Sequence, residues 1–131
     1  MKRNMDLIRD ILLYVEDCEN GNPNLRFSTL PEQFSKFDRF VLLEHGLLLI
    51  KRNLMEAIDT DDGFLHMRLT WDGHEFLGNA REQEVWNAAK KVAGQASFAV
   101  FVGILTKLAT HYAVDSLKSW LKATLATLGG S

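Results

Sequence analysis

The stretch between Gly46 and Thr70 constrains the fold more than any other part of the chain. It contains the turn signal Asp61-Asp62-Gly63 and runs into RLTWDGHEFL, residues 68–77. Gly46 stands where a helix commonly turns left-handed to stop, so LLLI at Leu47–Ile50 reads as a strand. Phe64–Leu69 reads as the returning strand, with Phe64, His66 and Arg68 alternating against Leu65, Met67 and Leu69. Residues 51–63 then make a polar, acidic wing. Thr70 caps the next helix, Trp71 opens it, and Asp72 adds negative charge where the backbone dipole favours it. Gly73 lets that helix lie close to the sheet, with Phe76 and Leu77 inward. Asp72 as cap with Glu75 three residues on is a second legible register. In both registers the polar decapeptide is punctuation between elements.

Upstream, Asn4 can cap a helix over Met5–Asp17, with Met5, Ile8, Leu12 and Val15 on one face. ENGNPN, Glu19–Asn24, ends it, and Leu25–Phe27 suits a short strand. Thr29-Leu30-Pro31-Glu32 is a capping box with proline in the first turn, opening a short helix to about Phe34. A third helix spans Lys36–His45, burying Phe37, Phe40, Val41 and Leu43 or Leu42. The order of elements is that of a winged helix-turn-helix. The fold class is mainly α with a small β-wing (α+β), followed by a C-terminal helical extension. The domains are residues 1–78 and 79–131.

In the extension, a helix over Ala80–Ala93 turns Val85, Trp86, Ala89 and Val92 inward and ends at Gly94. Ser97–Thr110 is apolar nearly all round, and such a helix must be covered on several sides. Tyr112–Leu128 carries Val114, Leu117, Leu121, Leu125 and Leu128 in a heptad-like seam, with Lys118 and Lys122 outside it. A small winged domain covers both helices poorly, so a second copy is expected as the partner. The oligomerisation candidates are Phe98, Phe101, Ile104, Leu105, Leu117, Leu121 and Leu125. An intramolecular four-helix sub-core is the alternative.

Charge narrows the function classes. Residues 1–78 hold nine Lys/Arg against fourteen Asp/Glu, a balance of −5, and residues 79–131 hold six against three, a balance of +3. An acidic front half is a poor surface for a polyanion. The single cysteine, Cys18, excludes an internal disulfide framework and multi-cysteine zinc sites, and it suits a reducing cytoplasm. Asp6, Arg9 and Asp10 interrupt MKRNMDLIRDILL, which therefore reads as an amphipathic helix rather than a signal segment. The longest uncharged run, Val92–Thr106, has fifteen residues, short of the roughly 20 that a bilayer span needs. The expectation is a cytoplasmic protein with no membrane partner.

Catalytic patterns are weak. His74-Glu75 lacks a second histidine one helical turn on, so it does not make a zinc-protease pair. His45, His66 and His111 lie in separate elements, and Asp59, Asp61 and Asp62 lack the spacing and closing glutamate of a calcium loop. No P-loop, dinucleotide turn or G-x-S-x-G elbow occurs. The expectation is no enzyme, no catalytic residue, no metal and no cofactor.

Three stretches together carry a resemblance: MKRNMDLIRDILL, FVLLEHGLLLI and RLTWDGHEFLGNAREQEVWNAAK. They resemble a winged-helix domain-of-unknown-function family of bacteria and their prophages, closely over residues 1–93 and loosely beyond. That resemblance implies a fold and a phage or mobile-element setting, but no activity. Members of that family often have a tyrosine–histidine pair where this chain has Phe37-Asp38.

Two functions follow as expectations. The first is a dimeric, DNA-binding transcriptional regulator. The third helix would enter the major groove with Gln33, Ser35, Lys36 and Arg39, while Lys51 and Arg52, on the wing's first strand, would touch double-stranded DNA. Arg26, Lys2 and Arg3 are further donors, and Asp38, Glu44, Glu32 and the acidic wing oppose them. The second is a phage-encoded protein-interaction module that inhibits a host defence or replication protein through its acidic surface.

Overall fold

The structure, a computed structural model, describes residues 2–21, 34–59 and 65–129; the side chains of 19–21, 59, 65, 116–118, 120, 121 and 123–129 are outside that description. Among the described residues the chain is mainly helical with a two-stranded antiparallel ribbon. It divides into two units, Met1–Gly78 and Asn79–Ser131.

In the first unit, Asn4 Oδ1 accepts from the Leu7 N–H at 3.1 Å and starts helix α1, Met5–Gly21. This is the expected cap, and the helix runs four residues beyond the expected Asp17. Leu7, Ile8, Ile11, Leu12 and Val15 are buried, while Met5 is only half-buried. The strand expected at Leu25–Phe27 and the Thr29 capping box lie outside the described residues. Phe34–Lys36 form a turn, and the Phe34 ring meets Tyr14 of α1 edge-on at 5.7 Å.

Helix α2, Arg39–Lys51, corrects the expectation most. It begins three residues later than Lys36, with Asp38 as its cap, and it passes through Gly46. LLLI is its last turn and not a strand. Leu42, His45, Gly46 and Leu49, spaced three, one and three residues apart, form one buried face. An interior glycine costs a helix about 1 kcal/mol relative to alanine. Burying a leucine such as Leu49 returns roughly 1.5–3 kcal/mol, so continuing the helix wins. The phase also reverses another expectation: Phe40 is 67% exposed.

The left-handed stop falls at Asn53, φ +60°, instead of Gly46. The Leu54 N–H donates to Leu49 O at 3.0 Å, and the Asn53 N–H donates to Ile50 O at 3.0 Å. These two bonds make a Schellman motif, and buried Leu54 and Leu49 occupy the positions that touch across it. Strand β1 is therefore Met55–Asp59, within the segment expected as loop. It pairs with β2, Leu65–Leu69, in the register Met55↔Leu69 to Asp59↔Leu65. Met55, Met67 and Leu69 are buried, and so is His66, at 5% exposure.

Helix α3, Trp71–Ala80, starts as expected at Thr70, whose Oγ1 accepts from the Gly73 N–H at 3.0 Å. The same hydroxyl donates to Asn53 O at 2.5 Å, joining the end of α2 to the start of α3. Asp72 instead accepts from Asn53 Nδ2 at 3.3 Å. A Cβ on Gly73 would lie 1.9 Å from the Leu54 carbonyl oxygen, so only glycine allows this approach. Phe76 and Leu77 face inward, as expected.

In the second unit, helix α4, Gln83–Ala93, packs on helix α5, Phe98–Gly129. Trp86 meets Phe101 edge-on at 5.3 Å. Val85, Trp86 and Ala89 are buried as expected; Val92 is 67% exposed, and Ala93 takes the inward place. Gly94 turns the chain with φ +55°. The two helices expected over Ser97–Thr110 and Tyr112–Leu128 are one helix of 32 residues. No glycine or proline lies between Ile104 and Leu128, and a change of apolar face does not by itself break a helix.

Candidate interaction site

Of the residues expected to read DNA, Arg39 and Lys51 lie within helix α2, Ser35 and Lys36 in the turn before it, and Arg52 just past its end. Asp38 Oδ1 accepts from the Phe40 N–H at 2.8 Å, so its carboxylate caps the helix instead of sitting within it. Ser35, Lys36 and Arg39 are exposed at this N-terminal end, with Lys36 Nζ 5.9 Å from the Phe37 ring centroid. Lys51 and Arg52 are exposed at the opposite end, where cations complement the helix dipole. They are not on a wing strand, which corrects that expectation. Twelve residues of helix separate Arg39 from Lys51, about 18 Å at 1.5 Å per residue. Gln33 and Arg26 lie outside the described residues.

Between those ends the outward face is Phe40, Leu43, Glu44 and Leu47. Phe40 and Leu47 are 67% and 53% exposed, and Leu43 and Glu44 are half-buried. No cationic or amide side chain stands in these two turns. On the ribbon, Arg68 pairs directly across the strands with Glu56, so its charge is met locally. This outer face departs from the expectation that Phe40 belongs to the core. The available signal was that α2 is apolar on every side, and two opposite sides cannot both face one small core.

The histidines are distributed rather than convergent. His45 is fully buried, its Nδ1 2.8 Å from Val41 O and its Nε2 accepting from the Asn4 N–H at 2.9 Å. His74 Nδ1 stands 3.8 Å from Glu16 Oε2, bringing α3 to α1. Among the described residues, no three His, Cys, Asp or Glu side chains gather as a metal site would require.

Of the oligomerisation candidates, Phe98, Phe101 and Leu105 are buried in the chain and Ile104 is half-buried. Leu117, Leu121 and Leu125 lie on α5, with side chains outside the description. Val100, Tyr112 and Val114 are exposed. By length and composition alone, Phe98–Asp115 could cross a membrane, although it includes Lys107 and Asp115.

The chain is 42% identical over 94 residues to an uncharacterized protein of Haemophilus influenzae, an alignment covering 69% of this chain and 76% of that one. No solved structure matches it. A family model described as a hypothetical protein of the type DUF2513 matches residues 2–99. The chain belongs to the DUF2513 family, a domain family of unknown function.

Proposed function

We propose that this protein is a binding module that engages a partner protein through the outer face of α2. The observation that carries the reading is the exposure of Phe40 and Leu47, with Leu43 between them. Positions i, i+3 and i+7 are the anchors by which a helix enters a partner's apolar groove. Arg39, Glu44 and Lys51 border these anchors and supply a polar rim. Those same turns, residues 40–47, carry no cationic or amide side chain to add to a reading of base edges. The balance of −5 over residues 1–78 also discourages a polyanion.

The test is affinity capture from cells expressing the full chain, repeated with Phe40→Ala/Leu47→Ala. A stoichiometric protein held by the parent and lost from the folded double variant supports the proposal. If every retained protein survives the double substitution, the reading fails.

A second reading, a DNA-binding regulator, is favoured by one observation. Ser35, Lys36 and Arg39 are exposed at the start of α2, where helix-turn-helix proteins contact base edges. Salt-sensitive duplex binding that weakens on Arg39→Ala and Lys51→Ala supports it, and no binding at low salt removes it.

A further inference from the structure

Helix α4 has 11 residues and α5 has 32, about 17 and 48 Å at 1.5 Å per residue. Within its own unit, α5 therefore outruns its neighbour by roughly 30 Å. The face bearing Phe98, Phe101 and Leu105 is buried. A different face holds positions 99, 103, 106, 110, 114, 117, 121, 125 and 128, spaced four, three, four, four, three, four, four and three. That rhythm follows an eleven-residue repeat, which keeps a stripe nearly straight along the helix. Ala99, Gly103, Thr106, Thr110 and Val114 are exposed. The Thr106 and Thr110 hydroxyls donate to Val102 O and Thr106 O, each at 2.8 Å.

We propose that this stripe is the interface of an antiparallel homodimer, centred near Val114. Two properties of the chain select a second copy as the occupant. First, the stripe reads backward as it reads forward, to within one residue, about position 114. Its first half is small (Ala99, Gly103, Thr106, Thr110) and its second half large (Leu117, Leu121, Leu125, Leu128). A two-fold axis sets Ala99 opposite Leu128, Gly103 opposite Leu125, Thr106 opposite Leu121 and Thr110 opposite Leu117. Small faces large at every level, the arrangement that interdigitates without voids, and one patch serves both copies. A parallel pair would set leucine against leucine at one end and leave a gap at the other.

The second property is area. A stripe about 44 Å long and 10 Å wide buries roughly 900 Å² over both copies, which is below the range of stable interfaces and in that of weak, transient ones. The dimer is accordingly a weak one, sensitive to protein concentration. Lys107, Lys118 and Lys122 fall beside the stripe, and the two-fold brings these like-charged flanks together. Added salt screens that repulsion and tightens the dimer. The proposal is independent of the α2 reading.

The test is sedimentation of the full chain across roughly 1–100 µM, with helicity checked by circular dichroism. The parent is expected to dimerise, more tightly in salt. A Cβ on Gly103 meets nothing in the monomer, so Gly103→Leu folds normally. It should weaken the dimer about ten-fold or more. Adding Leu125→Ala to Gly103→Leu should restore the dimer, because the large and small partners are exchanged. A parent that stays monomeric overturns the proposal, including one that pellets with anionic phospholipid vesicles. So does a dimer indifferent to Gly103→Leu, or one that Leu125→Ala fails to rescue.

Discussion

The backbone N–H of Asn4 donates to Nε2 of His45, 41 residues later, at 2.9 Å. Asn4 precedes α1, so its amide has no helical acceptor, and the buried imidazole of α2 supplies one. The other ring nitrogen, 2.8 Å from Val41 O, carries the proton, which fixes the tautomer.

His45→Leu keeps the volume but leaves the Asn4 N–H without its acceptor. A loss of about 1–3 kcal/mol is expected in urea unfolding. Faster hydrogen exchange at the Asn4 amide should accompany it, which a packing defect elsewhere would not produce.

Thr70 makes two bonds, accepting from Gly73 and donating to Asn53. Thr70→Ala should cost about 1–2 kcal/mol, and Thr70→Ser, which keeps the hydroxyl, should recover most of it. Equal losses for alanine and serine would contradict the capping assignment.

Glycines of α3 should respond with opposite signs. Gly73→Ala drives a Cβ toward the Leu54 carbonyl and should destabilise by more than about 2 kcal/mol. Gly78→Ala meets nothing on an exposed helical surface and should stabilise by up to about 1 kcal/mol. Thermal unfolding of the two variants side by side checks both.

Asn53 holds the left-handed turn that ends α2. Asn53→Val should cost roughly 1–3 kcal/mol, because a β-branched side chain is strained at positive φ, whereas Asn53→Gly should unfold near the parent. If valine is tolerated, the helix does not end there.

What the sequence disclosed was the chemistry completed within a few residues. The caps at Asn4 and Thr70 and the turn at Gly94 all depend on neighbours three or four positions away; at Gly73 the glycine was legible, but its neighbour, the Leu54 carbonyl, is tertiary. Gly46 misled because glycine marks a helix end only when no buried face asks the helix to continue, and that face is tertiary. Moving the stop from Gly46 to Asn53 displaced β1 and took Lys51 and Arg52 off the wing. Asparagine also tolerates the left-handed region, so Asn53 carried a signal that a stronger glycine overshadowed. Phe40 was misplaced because α2 is apolar on every side and periodicity therefore loses its phase. The bond between Asn4 and His45 spans 41 residues, beyond the reach of any local pattern.

The Leu54 carbonyl accepts from the Thr70 N–H at 3.2 Å, directly beneath Gly73. The exit of α2, both ends of the ribbon's base and the entry to α3 are thus fastened at a single peptide group. Under mechanical load or mild denaturant these elements should let go in one event, as a clasp opens, and the amides of Leu54, Thr70 and Gly73 should report the same opening free energy.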